Sequence, residues 1–216
     1  MTDNIKAVIF DIDGTLTPAN SWNVLTEKLG ASVEEHNKIH LARIAGAITH
    51  EHARAFLINH WQATRNANKK FITNIFKKTK LRKDSREIFS YLHNKGYLTC
   101  LITGSNNIYA QQIAKKLKAG NFYANCVFHF NNEGMLNRYD YDVGQGIKKL
   151  KQLNDFCKKN NIKLSQCVVV GDSSNDIEIF KATGRGIAVK TENEEVEIEK
   201  VAWKKINSLH ELKNYL

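Results

Sequence analysis

The feature that most constrains this chain is the stretch Ile9-Phe10-Asp11-Ile12-Asp13-Gly14-Thr15-Leu16-Thr17. Ala7 to Phe10 are apolar without a break and read as a strand buried on both faces. Two carboxylates follow at its C-terminal end, and Gly-Thr comes directly after them. Alternation along an extended chain points Asp11 and Asp13 to one side. In open α/β sheets the ligand lies beyond the carboxyl ends of the strands. A dry strand ending in Asp-x-Asp-Gly-Thr therefore suits an active site better than a solvated turn. The design recurs in Val168-Val169-Val170-Gly171-Asp172-Ser173-Ser174-Asn175-Asp176, where Asp172 ends an apolar run and Asp176 stands four residues on. A weaker version, Leu101-Ile102-Thr103-Gly104-Ser105-Asn106, ends in small hydroxylic residues.

Strand and helix patterns alternate along most of the chain, but not between the first strand and Asp84. There Ser21, Ser32 and Thr49 stand as N-caps. They precede Trp22–Leu29, a helix to about Ala45, and a third helix with Ala53, Phe56, Leu57, His60 and Trp61 at helical spacing. Gly30 and Gly46 are stops, and Phe71, Ile75 and Phe76 mark a fourth helix. From Asp84 the pattern predicts helix Ser85–Asn94, strand Tyr97–Ile102, and a helix from about Asn107 to Leu117. Strand Cys126–Phe130 with a tight turn at Asn131–Gly134 follows, then helix Ile147–Lys159. Strand Gln166–Val170, helix Ile177–Ala182 and a short final strand Gly186–Val189 complete it. The expected fold is α/β: a Rossmann-like three-layer parallel-sheet core from residues 1–16 and 84–216, with an all-helical cap inserted at 17–83.

No apolar run approaches the ~18–20 residues that span a bilayer. No basic-then-apolar leader precedes the first strand, which predicts a cytoplasmic protein without membrane attachment. The four cysteines sit in strand-like or helical runs with no Cys-x-x-Cys pair, so reduced buried thiols are expected. The formal net charge is +10, and most of it lies between Thr17 and Leu98. A solvated lysine-rich helical face explains this, as does steering of anionic substrates. Nucleic-acid binding is the less favoured reading.

Two strand-end carboxylates facing one cavity repel unless one is protonated or a cation lies between them. Oxygen-only ligands suit Mg²⁺. A Thr103 hydroxyl and free N–H groups ahead of a helix make an anion site. Lys148 and Lys149, at the start of a later helix, offer a cation to balance phosphate.

In their order, Asp11-Ile12-Asp13-Gly14-Thr15-Leu16-Thr17, strand-end Thr103, a later lysine and Gly171-Asp172-x-x-x-Asp176 strongly resemble the haloacid dehalogenase-like phosphohydrolase superfamily. The helical insert falls where that family places its first-position (C1) cap. The spacing is similar to the phosphoserine-phosphatase-like branch, subfamily IB type. The resemblance implies a Mg²⁺-dependent phosphatase of a small phosphorylated metabolite. It implies Asp11 as nucleophile and Asp13 as general acid and base. Asp11, the Asp13 carbonyl and Asp172 would hold the metal, with Asn175 and Asp176 behind them. Thr103 and Gly104 would hold the phosphoryl oxygens, and Lys149, favoured over Lys148, would stabilise the nucleophile.

The chain departs from phosphoserine phosphatases at two substrate contacts. Asn20 stands where they carry a glutamate for the substrate ammonium, and Leu57 falls near their cap arginine. Phosphoserine is thus expected to be a poor substrate. Asn20, Trp22, Arg43 and Arg54 are the candidates for specificity. Trp22 on an amphipathic helix also reads as core. His36 and His40 have metal-pair spacing, but without a third ligand nearby they read as a solvated helix face. A phosphotransferase using an acceptor alcohol is the alternative function, as is a phosphatase of nucleotides or nucleic-acid ends.

Overall fold

The computed structural model describes residues 4–191 and 196–216. Its strands β1 (Ala7–Phe10), β2 (Leu98–Asn106), β3 (Asn121–Phe130), β4 (Leu136–Tyr141), β5 (Cys167–Gly171), β6 (Gly186–Val189) and β7 (Lys204–Ile206) form one sheet in the order β4-β3-β2-β1-β5-β6-β7. All neighbours run parallel except the β3–β4 pair. The central β1 pairs Phe10 with Leu101 of β2 and with Val170 of β5. This register brings the ends of the three apolar runs to one edge.

Alternation sorts the strand side chains into two cores. Val8, Phe10, Val168 and Val170 pack with α5 (Ser85–Asn94) and α6 (Asn107–Leu117) on one face. Ala7, Ile9, Cys167 and Val169 pack with α7 (Gln145–Asn160), α8 (Ile177–Thr183) and α9 (Val196–Val201) on the other. Helices on both faces force the strands to be apolar throughout. Cys100, Cys126, Cys157 and Cys167 are buried free thiols, as expected. No helix among the described residues is long and apolar enough to cross a membrane.

The insert holds α1 (Ser21–Leu29), α2 (Val33–Ile44), α3 (His50–Gln62) and α4 (Lys69–Lys77). Ser32 and Thr49 cap α2 and α3 through their side-chain oxygens. The cap of α1 is Asn20, whose carboxamide oxygen accepts from the N–H groups of Trp22 and Asn23. Ser21, the expected cap, is the first helical residue, and its hydroxyl turns inward to Asp13. The insert is tied to the core through backbone bonds from Lys69 N to Gly134 O and from Leu136 N to Ala67 O. On its return the chain docks as Arg82 donates twice to Gly14 O, at 2.6 and 3.1 Å.

The sheet is larger than the sequence pattern predicts. β3 begins at Asn121, and β4, antiparallel and on the edge, has no predicted counterpart. Polar Asn137, Arg138 and Asp140 interrupt β4, since one of its faces is solvated. Gly186–Val189 is not the final strand: β7 follows, an edge strand with exposed Lys204 and Lys205. Lysines suit an edge that must not recruit another strand.

Candidate active site

Asp11 leaves β1 with its N–H still bonded to Val170 O at 2.9 Å, so its position follows from the sheet. Its carboxylate is buried and accepts from Lys149 Nζ at 3.0 Å. The same ammonium donates to Asp176 Oδ1 at 2.7 Å. Lys149 sits on the buried side of α7, whereas Lys148 faces Asp142 at 3.8 Å near the surface. Burial works against the Lys149 charge, but Asp11 and Asp176 outweigh it and hold its pKa above the ordinary lysine value.

Asp172 follows β5 and accepts from Thr15 Oγ1 at 2.8 Å. One carboxylate oxygen from each of Asp11, Asp172 and Asp176 lies within 4.8 Å of the others. Burial, then the charges of Asp11 and Asp176, push Asp172 up to about 8. Burial pushes Asp176 up to about 6, against the pull of Lys149. The Lys149 ammonium that Asp11 and Asp176 share carries one charge against the two carboxylates it bonds. The second oxygen of Asp176 is buried without a hydrogen-bond partner among the described residues. An oxygen-only donor set with an unmet acceptor fits a hard divalent cation. Gly14, at φ +76°, and Gly171 let the backbone pass close by: a Cβ on them would collide with the carboxylates of Asp172 and Asp176.

Asp13 is held differently. Its Oδ2 accepts from Ser21 N at 3.2 Å and Ser21 Oγ at 2.5 Å, and Ser21 Oγ meets Ser105 Oγ at 2.5 Å. Its Oδ1 is buried and has no hydrogen bond within normal distance among the described residues, although the Tyr109 hydroxyl acts on the same carboxylate. Burial pushes the Asp13 pKa up to about 6, opposed by the Ser21 bond. Thr103 is buried at the end of the β2 apolar run, where its hydroxyl accepts from Ser105 N at 3.1 Å. Gln145 lies over Gly104, so closely that a Cβ there would strike its amide oxygen.

These groups line one cavity of about 1120 Å³ that reaches into the insert. Asp11, Asp13, Thr103, Gly104, Lys149, Asp172 and Asn175 line its sheet end, and Asn20, Trp22 and Arg43 line the rest. Arg54 is not among the lining residues and donates to Tyr139 O at 3.3 Å. Trp22 is half-buried: it lies over Trp61, with ring centroids 6.1 Å apart, yet still borders the cavity. His50, Tyr139 and Tyr141 also line it and were not singled out in the sequence. The tyrosines alternate along the unpredicted β4, which is the signal that could have found them.

His36 corrects an expectation: it is buried, not on a solvated face. Trp61 Nε1 donates to Thr26 Oγ1 at 2.9 Å, and Thr26 Oγ1 meets His36 Nδ1 at 2.6 Å. Burial, followed by repulsion from His40 and His60, lowers the His36 pKa from 6.5 to about 4. A histidine with a lowered folded pKa stabilises above its unfolded pKa and loses that contribution as pH falls. The expected loss is about 3 kcal/mol, spread between pH 6.5 and about 4. Denaturant unfolding of wild type and His36→Gln across this range checks it. The stability difference between them should shrink toward pH 4, and a constant difference would refute the assignment.

The molecule is thus an α/β protein with an inserted helical layer and an acid-and-lysine site at its strand ends. Residues 5–184 match the family described as haloacid dehalogenase-like hydrolase, and the chain belongs to it. It is 26% identical over 184 residues to a phosphoserine phosphatase of Lactococcus lactis, covering 84% of this chain and 82% of that one. It is 25% identical over 183 residues to a phosphoserine phosphatase of Methanocaldococcus jannaschii, covering 85% and 84%. Among solved structures, a phospho-aspartyl intermediate analogue of phosphoserine phosphatase superposes with a TM-score of 0.75 at 23% identity, covering 99% and 100% of the two chains.

Proposed function

We propose that this hydrolase is a Mg²⁺-dependent phosphatase that cleaves a small phosphomonoester through an aspartyl-phosphate on Asp11. The observation that carries this reading is the buried Lys149 ammonium shared by Asp11 and Asp176 beside Asp172. Asp11 supplies the attacking oxygen. Lys149 steadies that carboxylate and the charge of the incoming phosphoryl group. The Thr103 hydroxyl and Gly104 N–H receive phosphoryl oxygens. Asp13, with a pKa raised toward neutrality, gives its proton to the leaving alkoxide and later takes one from water. Ser21 fixes Oδ2 of Asp13, and Asp13 itself borders the cavity where the leaving oxygen would lie. Asp11, the Asp13 carbonyl and Asp172 would hold Mg²⁺, supported by Asn175 and Asp176. When bound, the ion would supply charge neutralisation at the phosphoryl oxygens. Residues 17–83 act as the cap that limits water access.

The relatives carry the name phosphoserine phosphatase, but the cap argues against that substrate here. The carboxamide oxygen of Asn20 is committed to capping α1. Among the described residues, the carboxylates that line the cavity are Asp11, Asp13 and Asp172, all at the sheet end. Among the described residues, no carboxylate lines the cap half to pair with an ammonium. Phosphoserine should therefore rank below amine-free phosphomonoesters in kcat/KM, and a top rank for phosphoserine would reverse this conclusion. Phosphate release from a panel of phosphomonoesters, with Mg²⁺ and with EDTA, tests the wider reading. Turnover should require the metal; turnover undiminished by EDTA, or none from folded protein, would count against it.

A further inference from the structure

We infer that Ser105 is a positioning residue for Asp13, acting through the hydroxyl of Ser21. This inference rests on the phosphatase reading above, in which Asp13 serves the leaving oxygen.

Asp13 lies beyond the end of β1, where the sheet no longer fixes its side chain, and its backbone bridges to Thr17. The Tyr109 hydroxyl, which meets Thr17 Oγ1 at 2.7 Å, acts on its carboxyl from α6. Ser21 holds the same carboxyl, with its N–H at 3.2 Å and its hydroxyl at 2.5 Å. A serine carries one hydroxyl proton. Ser21 commits that proton to the Asp13 oxygen, so the 2.5 Å contact between Ser21 Oγ and Ser105 Oγ is made by the Ser105 proton. Both serines are buried, which keeps bulk water from competing for these bonds. The series runs from β2, through the first residue of the inserted α1, to the acid.

The sheet prepares Ser105 for this role. From Thr103 to Asn106 β2 advances three residues while β3 advances two, from Ala124 to Cys126. The extra residue is a bulge, a device that re-aims side chains beside active sites. Ser105 N donates to Thr103 Oγ1 at 3.1 Å, and Asn106 caps α6 by accepting from Tyr109 N at 2.9 Å. Ser105 therefore stands between two anchored neighbours. Without its hydroxyl, Ser21 is free to leave for another staggered rotamer, and Asp13 loses its aim. A misplacement of ~1 Å costs about 10²-fold in rate.

The test compares two esters on the same protein. One is an alkyl phosphate, whose alkoxide needs a proton to leave; the other is p-nitrophenyl phosphate, whose leaving group does not. In Ser105→Ala the ratio of kcat/KM, alkyl over aryl, should fall about tenfold to hundredfold below wild type. That ratio is independent of how much protein is folded, so a merely structural defect leaves it unchanged. Alanine keeps the N–H on Thr103, so inhibition by inorganic phosphate should stay as in wild type. Ser21→Ala should show the same fall in the ratio, and Ser21→Thr should retain most of it. The double alanine variant should be no worse than Ser21→Ala, because the two serines act as one unit. An unchanged ratio in Ser105→Ala, or losses that multiply in the double variant, would overturn the inference and leave the phosphatase reading standing. Hydrolysis of neither ester by folded wild type would instead refute the phosphatase reading, and this inference with it.

Discussion

Asp11→Asn is expected to lower phosphate release by on the order of 10⁴-fold or more while leaving a folded protein, because it removes the proposed nucleophile and little else. The amide is close in size to the carboxylate. Its neighbours are fixed independently, since the backbone of Asp11 is pinned to β5 and Lys149 retains Asp176. One of three crowded acids becomes neutral, which removes the Asp11 charge that adds to burial in raising Asp172. Thermal melts should therefore stay near wild type as turnover disappears. Substantial residual turnover in a correctly folded variant would mean that another group attacks phosphorus.

Lys149→Met should produce a different combination, with both stability and turnover falling. Methionine fills much of the same volume but leaves Asp11 and Asp176 buried without their shared cation. Breaking a buried pair by removing one partner costs about 3–5 kcal/mol, because the remaining charge is uncompensated. For a chain of this size that corresponds to roughly 10 °C in Tm. Protonation of the acids relieves the strain, so the deficit should narrow as pH falls toward 5, where Asp176 takes up a proton. Mg²⁺ should restore part of the stability, by supplying positive charge to the same oxygens, but little of the activity. Urea unfolding at pH 5 and 7.5, with and without Mg²⁺, measures both effects. A variant as stable as wild type at pH 7.5 would show that the pair contributes little.

Much of this was legible in the sequence because local signals and global fold agree. The apolar runs before Asp11, Thr103 and Asp172 are strands buried on both faces. β1 and β5 stop just before Asp11 and Asp172, while β2 runs on past Thr103 to Asn106, so the candidate site could be read from where the apolar runs stop. Ser32 and Thr49 were equally readable, since each cap lies next to the helix it starts. What was hidden depends on contacts distant in sequence. Ser21 reads as a helix cap by type and position, yet Asn20 takes that role and frees the hydroxyl for Asp13. β4 lacks an apolar run because one side is solvated, and Tyr139 and Tyr141 were lost with it. His36 looks like a surface residue on a charged helix until α1 and α3 bring Thr26 and Trp61 against it. The cavity around Arg43 depends on how α2, α3 and β4 meet, which no local spacing encodes.

The most direct test of the central claim is to trap the covalent intermediate. A phosphomonoester labelled in its phosphoryl group would be mixed with wild-type enzyme and Mg²⁺, quenched in acid within one turnover, and the protein digested and mapped. The label should lie on the peptide carrying Asp11, as an acyl phosphate that hydroxylamine releases, and should be absent from the Asp11→Asn protein. Label passing to inorganic phosphate with none ever on Asp11, under conditions of full turnover, would contradict the mechanism proposed for this site.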